Sequence, residues 1–197
     1  MKKVIFATSN EGKMKEIREI LKELDIELLS LKDAGLNPDI DENGKTFEEN
    51  AVIKAKTVME LTGEIVLADD SGLEVDYMNK APGVYSARFM GENTSYTIKN
   101  QYIIDQLKEA SEEERSARFV CVIACALPSG EVITRRATIE GIIAGEICGA
   151  NGFGYDPIFY VPEYHCTTAE MAPDLKNEIS HRGKALRAMK DEMIKHI

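Results

Sequence analysis

Two adjacent carboxylates, Asp69-Asp70-Ser71-Gly72, follow an apolar run at residues 65–68 and are well suited to hold a hard divalent cation. Such cations take oxygen ligands, and phosphate chemistry needs positive charge beside the reacting oxygens. Neighbouring side chains on an extended strand point to opposite sides, so one acid can face a ligand while the other supports the loop. A buried strand ending at these acids would place them where ligands gather in α/β sheets. Two acids in a turn would look the same in isolation. The further acids Asp39, Asp41, Glu42, Glu48 and Glu49 favour a metal, because they cluster just before or at the start of a capped helix.

A second group, Thr8-Ser9-Asn10-Glu11-Gly12-Lys13, supplies hydroxyls, an amide, a glycine and a lysine at a strand-to-helix turn. Those are the parts of an anion cradle, although a capped helix with an exposed lysine has the same composition. It is not a Walker A loop, since Ala7 stands at the first glycine position and Met14 follows Lys13. The reversed spacing of Gly149, Gly152 and Gly154 also fails the dinucleotide fingerprint. That glycine-rich stretch instead leads into Phe153-Gly154-Tyr155-Asp156-Pro157, two aromatics and an acid that could stack a base, or equally plug a core. Lys176, Ser180, His181 and Arg182 gather donors around a last helix start, where a lone histidine would more often cap the helix or lie on the surface.

The elements that position these groups follow from periodicity. Residues 3–8 read as a short buried strand, followed by a helix with Ile17, Ile20, Leu21 and Leu24 on one face. Thr46 and Glu49 form a capping box for a second helix carrying Phe47, Ala51, Val52, Ala55 and Val58 inward. A strand at 65–68 ends at the acid pair. A helix after Asn93 or Thr94 carries Ile98, Tyr102 and Leu107, and a long strand at 117–127 turns at Pro128-Ser129-Gly130 into an antiparallel partner at 132–140. An apolar strand at 158–161 and a closing helix with Leu186, Met189 and Met193 inward complete the chain. Helices interleaved with strands and one hairpin give an α/β fold on a mixed sheet. With no repeat or linker visible, residues 1–197 read as one domain.

Composition excludes other classes. With 197 residues, 44% hydrophobic and 29% charged, the chain can bury one sizeable core. A formal charge of -10 argues against gripping a nucleic-acid polymer, whose affinity comes from many Lys and Arg contacts to phosphates. A small phosphorylated ligand needs only a few cations in one place. The amino terminus lacks a signal-peptide apolar region, and no segment approaches the roughly 18 apolar residues of a membrane helix. A cytoplasmic protein that binds no membrane is therefore expected. Cys121, Cys125, Cys148 and Cys166 lack zinc-site spacing and read as reduced thiols.

Taken in order, six segments resemble the inosine/xanthosine triphosphate pyrophosphatase family. They are Thr8-Ser9-Asn10-Glu11-Gly12-Lys13, Thr46-Phe47-Glu48-Glu49-Asn50-Ala51, Asp69-Asp70-Ser71-Gly72-Leu73, Pro82-Gly83-Val84-Tyr85-Ser86-Ala87-Arg88-Phe89, Phe153-Gly154-Tyr155-Asp156-Pro157 and Ile179-Ser180-His181-Arg182. The resemblance implies an elongated mixed β-sheet flanked by helices, two lobes around a central nucleotide-binding cleft, and a homodimer. It implies hydrolysis of ITP, dITP and XTP to the monophosphate and pyrophosphate, with Mg2+ as cofactor. By the same resemblance, residues 8–13 with Lys54 hold the triphosphate, Asp70 binds magnesium and serves the attacking water, and Asp41 or Glu42 supplies a second metal carboxylate. Ser71 touches the substrate, residues 153–156 frame the base, and Lys176, His181 and Arg182 complete its pocket. Two positions depart from the family pattern: Asn79-Lys80 replaces a common glycine pair, and Cys166 stands where Lys or Gln is usual.

Two rivals are weighed against this expectation. A Maf-like pyrophosphatase of modified pyrimidine nucleotides is disfavoured by Ser180-His181-Arg182 and by the loop at 153–156. A nucleotide sensor without catalysis would not need Asp69, Asp70, Asp41 and Glu42.

Overall fold

The computed structural model describes all 197 residues. In chain order the elements are β1 (Lys2–Phe6), α1 (Glu11–Leu21), β2 (Ile26–Ser30), α2 (Phe47–Thr62), β3 (Ile65–Val75), α3 (Tyr96–Gln106), β4 (Ser116–Ala126), β5 (Val132–Ile143), β6 (Phe159–Val161), β7 (Cys166–Thr167), α4 (Pro173–Ile179) and α5 (His181–Met193). The seven strands form one mixed sheet in the order β2-β1-β3-β4-β5-β6-β7. β1 pairs in parallel with β2 and β3, whereas β6 pairs antiparallel with β5 and β7. The expectation of an α/β fold on a mixed sheet is therefore met.

By its contacts the chain divides into two compact units. One comprises residues 1–70, 121–137 and 182–197; the other comprises residues 71–120 and 138–181. In the first, β1 lies between two parallel neighbours, and Val4, Ile5 and Phe6 are all buried, as an interior parallel strand requires. Met14, Ile17 and Leu21 recur at helical spacing on α1 and join Leu67, Cys121, Ile123, Leu186, Met189 and Met193 in one core. The second unit has its own core, including Leu73, Val75, Ile103, Leu107, Phe119, Tyr155 and Phe159.

Local signals set most helix ends. The Thr46 hydroxyl accepts from the Glu49 N–H at 3.1 Å, but Glu49 reaches back to the Lys45 N–H rather than that of Thr46. Gly63 closes α2 at φ 69°, a left-handed position that suits glycine.

Three expectations need correction. β3 does not stop at the acids but runs on to Val75, because Leu73 and Val75 are fully buried in the second unit and continue the ladder. Asp69 and Asp70 are thus mid-strand residues. α3 ends at Gln106, so Leu107 caps it rather than lying within it, and its buried residues are Lys99, Asn100, Ile103 and Ile104, with Ile98 and Tyr102 exposed. Leu24 lies beyond the end of α1, although it still packs on the core.

The thiols are free, and Cys121 and Cys125 are buried. Burial pushes both thiols up to about 12, so neither presents a thiolate near neutrality. Native protein treated with an alkylating reagent should be modified at no more than two positions, Cys148 and Cys166, with four after denaturation. Mass spectrometry showing a third adduct on folded protein would contradict this core.

Candidate active site

The first unit brings the acid pair together with cations from three helices. Lys13 on α1 donates to Asp69 Oδ2 at 2.9 Å, and Arg182 at the start of α5 has Nε 3.7 Å from the same oxygen. Arg182 Nη1 also donates to Glu16 on α1 at 2.9 Å. On α2, Lys54 places Nζ 3.6 Å from Asp70 Oδ1 and 3.1 Å from Glu42 Oε2. Strand alternation explains why two neighbouring acids acquire different partners.

Their electrostatics differ accordingly. Burial works to raise the Asp69 carboxyl, but Lys13, Arg182 and Lys54 together hold it well below the usual carboxylate range. Asp69 is therefore a committed counter-ion. Burial pushes the Asp70 carboxyl up to about 6, against the pull of Lys54 and of a hydrogen bond from Asn50. Its Oδ2 is buried and has no hydrogen-bond partner. Lys54 itself is burdened by burial, yet Asp69, Asp70 and Glu42 keep its pKa above the ordinary lysine value.

These features fit a hard cation, because a buried carboxylate oxygen with nothing to accept from is costly unless a positive charge meets it. Glu42, sharing Lys54 with Asp70, is a second carboxylate of the same cluster. Asp41 instead accepts from Asn43 Nδ2 and lies exposed. No three acidic, histidine or cysteine side chains form a ready cage. One or two carboxylates completed by phosphate oxygens is the usual arrangement for magnesium.

The turn before α1 is built as a helix start. Asn10 Oδ1 accepts the Lys13 N–H at 3.0 Å, and Thr8 Oγ1 accepts the Asn10 N–H at 3.2 Å. Ser9, Asn10, Glu11 and Gly12 are exposed. Ser71, next to the acids, is half-buried. Asn50 and Glu16 belong to this cluster although sequence reasoning gave neither a role. Asn50 is 1% exposed, and its Oδ1 accepts the Gly44 N–H at 2.8 Å, tying the loop after Glu42 to α2. The available signal was a polar residue on the inward face of an amphipathic helix.

The second unit carries the aromatic loop. Asp156 is 3% exposed and accepts from Phe153 N at 2.9 Å, Thr168 Oγ1 at 2.8 Å and Lys176 Nζ at 2.6 Å. Gly152, at φ 73°, is required there, since a Cβ would stand 2.2 Å from Asp156 Oδ2 and 2.7 Å from Lys176 Nζ. Phe153 is exposed with Lys176 Nζ 5.4 Å from its ring centroid. Gly154 is half-buried, whereas Tyr155 is buried with its hydroxyl donating to Ser86 O at 2.6 Å. His181 is neither exposed nor a surface cap: it stacks on Phe119 with centroids 4.9 Å apart.

Arg182, grouped with Lys176 and His181 from sequence, takes Glu16 and Asp69 as partners. Arg182→Ala should destabilise the fold by about 3 kcal/mol, the lower end for breaking a buried ion pair, because Lys13 still compensates Asp69. In a chain of this size that is a melting-temperature loss of roughly 10 °C. A loss below about 2 °C by calorimetry would mean that the Arg182 charge is not part of the buried network.

Fold and site together define an α/β enzyme built to handle phosphate: a mid-strand acid pair, one acid neutralised and one under-compensated, set among three cations. The chain belongs to the Ham1 family, which matches residues 4–192. It is 49% identical to a dITP/XTP pyrophosphatase of Clostridium perfringens, with 98% of each chain covered. Among solved structures it resembles a HAM1 protein from Coxiella burnetii, with a TM-score of 0.91, 42% identity and 99% and 100% of the two chains covered. It also resembles the Staphylococcus aureus Ham1 protein, with a TM-score of 0.90, 37% identity and 100% of each chain covered.

Proposed function

We infer that this chain hydrolyses the non-standard purine nucleoside triphosphates ITP, dITP and XTP to the monophosphate and pyrophosphate, removing them from the nucleotide pool. The observation that carries the reading is the asymmetry of the acid pair, with Asp69 locked by Lys13 and Arg182 while Asp70 keeps one buried oxygen without a partner. Near-full-length similarity to dITP/XTP pyrophosphatases supports the substrate class. The proposed pyrophosphatase domain spans residues 1–197.

In this reading the triphosphate lies on residues 8–13, where backbone N–H groups at the start of α1 and the Lys13 ammonium meet its charge. Lys13 is pre-oriented by Asp69, so little side-chain freedom is lost when phosphate binds. Lys54 stands between Asp70 and Glu42 and assists on the phosphates. Asp70 and Glu42, rather than Asp41, are the carboxylates that would hold Mg2+. When bound, that ion offsets charge on the phosphate oxygens. Asp70 orients the water that attacks the α-phosphorus and accepts its proton, since a carboxylate is ionised at neutral pH and can take a proton from a water held against it. Ser71 touches the substrate beside it. Positioning and electrostatics supply most of the acceleration in such phosphoryl chemistry.

Phe153 is the stacking surface for the base, backed by Gly154 and Asp156, and Lys176 and His181 are donors beside it. Tyr155 contributes by packing, since its hydroxyl is already engaged. A homodimer is part of the proposal, resting on the family resemblance. The decisive experiment is pyrophosphate release from ITP, XTP, dITP, ATP, GTP and CTP, with and without Mg2+. Magnesium-dependent release from the first three supports the reading. Equal release from all six, or release only from CTP, would overturn it.

A further inference from the structure

The segment Pro82-Gly83-Val84-Tyr85-Ser86-Ala87-Arg88-Phe89 has no role in the mechanism above, and neither do two polar residues buried on α3. Lys99 and Asn100 are 1% and 2% exposed, on a helix face where apolar side chains would cost less. Lys99 Nζ donates to Ala87 O at 2.9 Å and lies 4.7 Å from the Tyr96 ring centroid. Asn100 Nδ2 donates to Gly154 O at 3.1 Å. The two segments they hold meet each other, because the Tyr155 hydroxyl donates to Ser86 O at 2.6 Å. Tyr96 completes the ring of contacts, packing edge-on against Tyr155 with centroids 5.2 Å apart.

We propose that Lys99 and Asn100 form a bracket that fixes the base-facing loop at residues 153–155, with Asn100 as a positioning residue for base selection. The proposal rests on placing the base at that loop. Gly149, Gly152 and Gly154 all have positive φ, so three of the seven residues at 149–155 are of the type with the greatest conformational freedom. Without clamps, Phe153 and the neighbouring N–H groups would sample many positions, and a loosely held polar site discriminates poorly between bases. Asp156 fixes the Gly152 end of the loop. Asn100 fixes the Gly154 end. Asn100 Oδ1 is buried and lacks a hydrogen-bond partner, a cost that a leucine of similar shape would avoid. The donor half of the amide is what the position requires. Ser86 is held in turn, with Oγ donating to Gly83 O at 2.6 Å and accepting from Leu73 N at 2.9 Å. This gives the Pro82–Phe89 motif its purpose, as a fixed acceptor for the Tyr155 hydroxyl.

Asn100→Leu deletes the clamp and the orphan oxygen together, so the fold should survive with an unchanged melting temperature. The expected kinetic result is a KM for ITP raised about tenfold with kcat within about twofold, and an ITP-to-ATP ratio of kcat/KM reduced by a similar factor, the scale of one lost buried hydrogen bond. Inhibition by inorganic pyrophosphate should change by less than about twofold, because the phosphate end does not use this loop. The proposal is overturned if KM and the ITP-to-ATP ratio stay within about twofold, or if pyrophosphate inhibition weakens in step with ITP binding. Should Asn100→Leu not fold, Tyr155→Phe removes one hydroxyl from the same ring and is judged by the same criteria. If the unmodified protein does not hydrolyse ITP, it is the functional reading that fails. The bracket is then read by hydrogen exchange at residues 152–156, which must quicken in Asn100→Leu if the clamp exists.

Discussion

Asp70→Asn should leave the fold intact and lower turnover of ITP by at least about a hundredfold, the usual scale for losing a metal ligand or positioned base. The substitution keeps shape and the capacity to accept one hydrogen bond while removing the charge. Only the charge explains the surroundings of Asp70: Lys54 is kept protonated by a group of acids that includes it, and its Oδ2 has no partner within the protein. A second consequence separates this from a general structural role. In the presence of a chelator the Asn variant should melt at or above the temperature of the parent, because a buried carboxylate with an unpaired oxygen is replaced by a neutral amide. Addition of Mg2+ should then raise the melting temperature of the parent and not of the variant, since a ligand stabilises only the form that binds it. Activity within about threefold of the parent, with circular dichroism unchanged, would remove Asp70 from the mechanism. A parent that gains nothing from Mg2+ would remove the metal from this site.

How much of this was legible beforehand depended on where a residue's partners lie along the chain. The start of α2 was readable because Thr46 and Glu49 carry their signal within four residues, and α5 because Leu186, Met189 and Met193 keep a clean helical period. β2 carries no such signal: it is five residues long at the end of the strand order, with only Ser30 fully buried, so neither alternation nor a continuous apolar run marks it. α4 is equally silent, since seven residues with two apolar side chains, Leu175 and Ile179, give too little periodicity to register. The acid pair stands out in the sequence, but its place in mid-strand depends on Leu73 and Val75 finding a second core, which no local pattern shows. Candidate residues fared similarly. Of Asp41 and Glu42 it is Glu42 that reaches Lys54, a contact twelve residues away on another element that no local pattern shows. Asn50 and Glu16 escaped because a polar residue on an amphipathic helix reads as surface until the buried partner is seen. Of two aromatics flanking one glycine, Phe153 is exposed and Tyr155 buried, a division that only packing decides.

Base selectivity offers the other large effect. Because all nucleoside triphosphates share one phosphate chain, differences in kcat/KM between them must come from base and sugar contacts. Hypoxanthine and xanthine present an O6 acceptor where adenine presents an amino donor. A protein donor placed at that edge is satisfied by the former and left unpaired by the latter, at about 1–3 kcal/mol per contact. Lys176, on α4 beside the loop, is the donor assigned to this edge, with its ammonium 5.4 Å from the Phe153 ring centroid and anchored by Asp156 at 2.6 Å. ITP and XTP should therefore exceed ATP in kcat/KM by roughly a hundredfold, the scale of one or two such contacts. dITP should match ITP closely, because nothing in the assigned groups reads the 2′-hydroxyl. Lys176→Met retains the aliphatic stem, and Asp156 keeps its bonds from Phe153 N and Thr168 Oγ1, but the buried Asp156 carboxylate loses its cation, so a lowered melting temperature should accompany the kinetic effect. The ITP-to-ATP ratio should fall by at least about tenfold in that variant, almost wholly through loss of ITP turnover, with pyrophosphate inhibition unchanged. An unmodified protein that hydrolyses ATP as well as ITP, or a Lys176→Met variant that loses both equally, would detach base recognition from this loop and leave the assignments of Lys13, Lys54 and Asp70 standing on their own geometry.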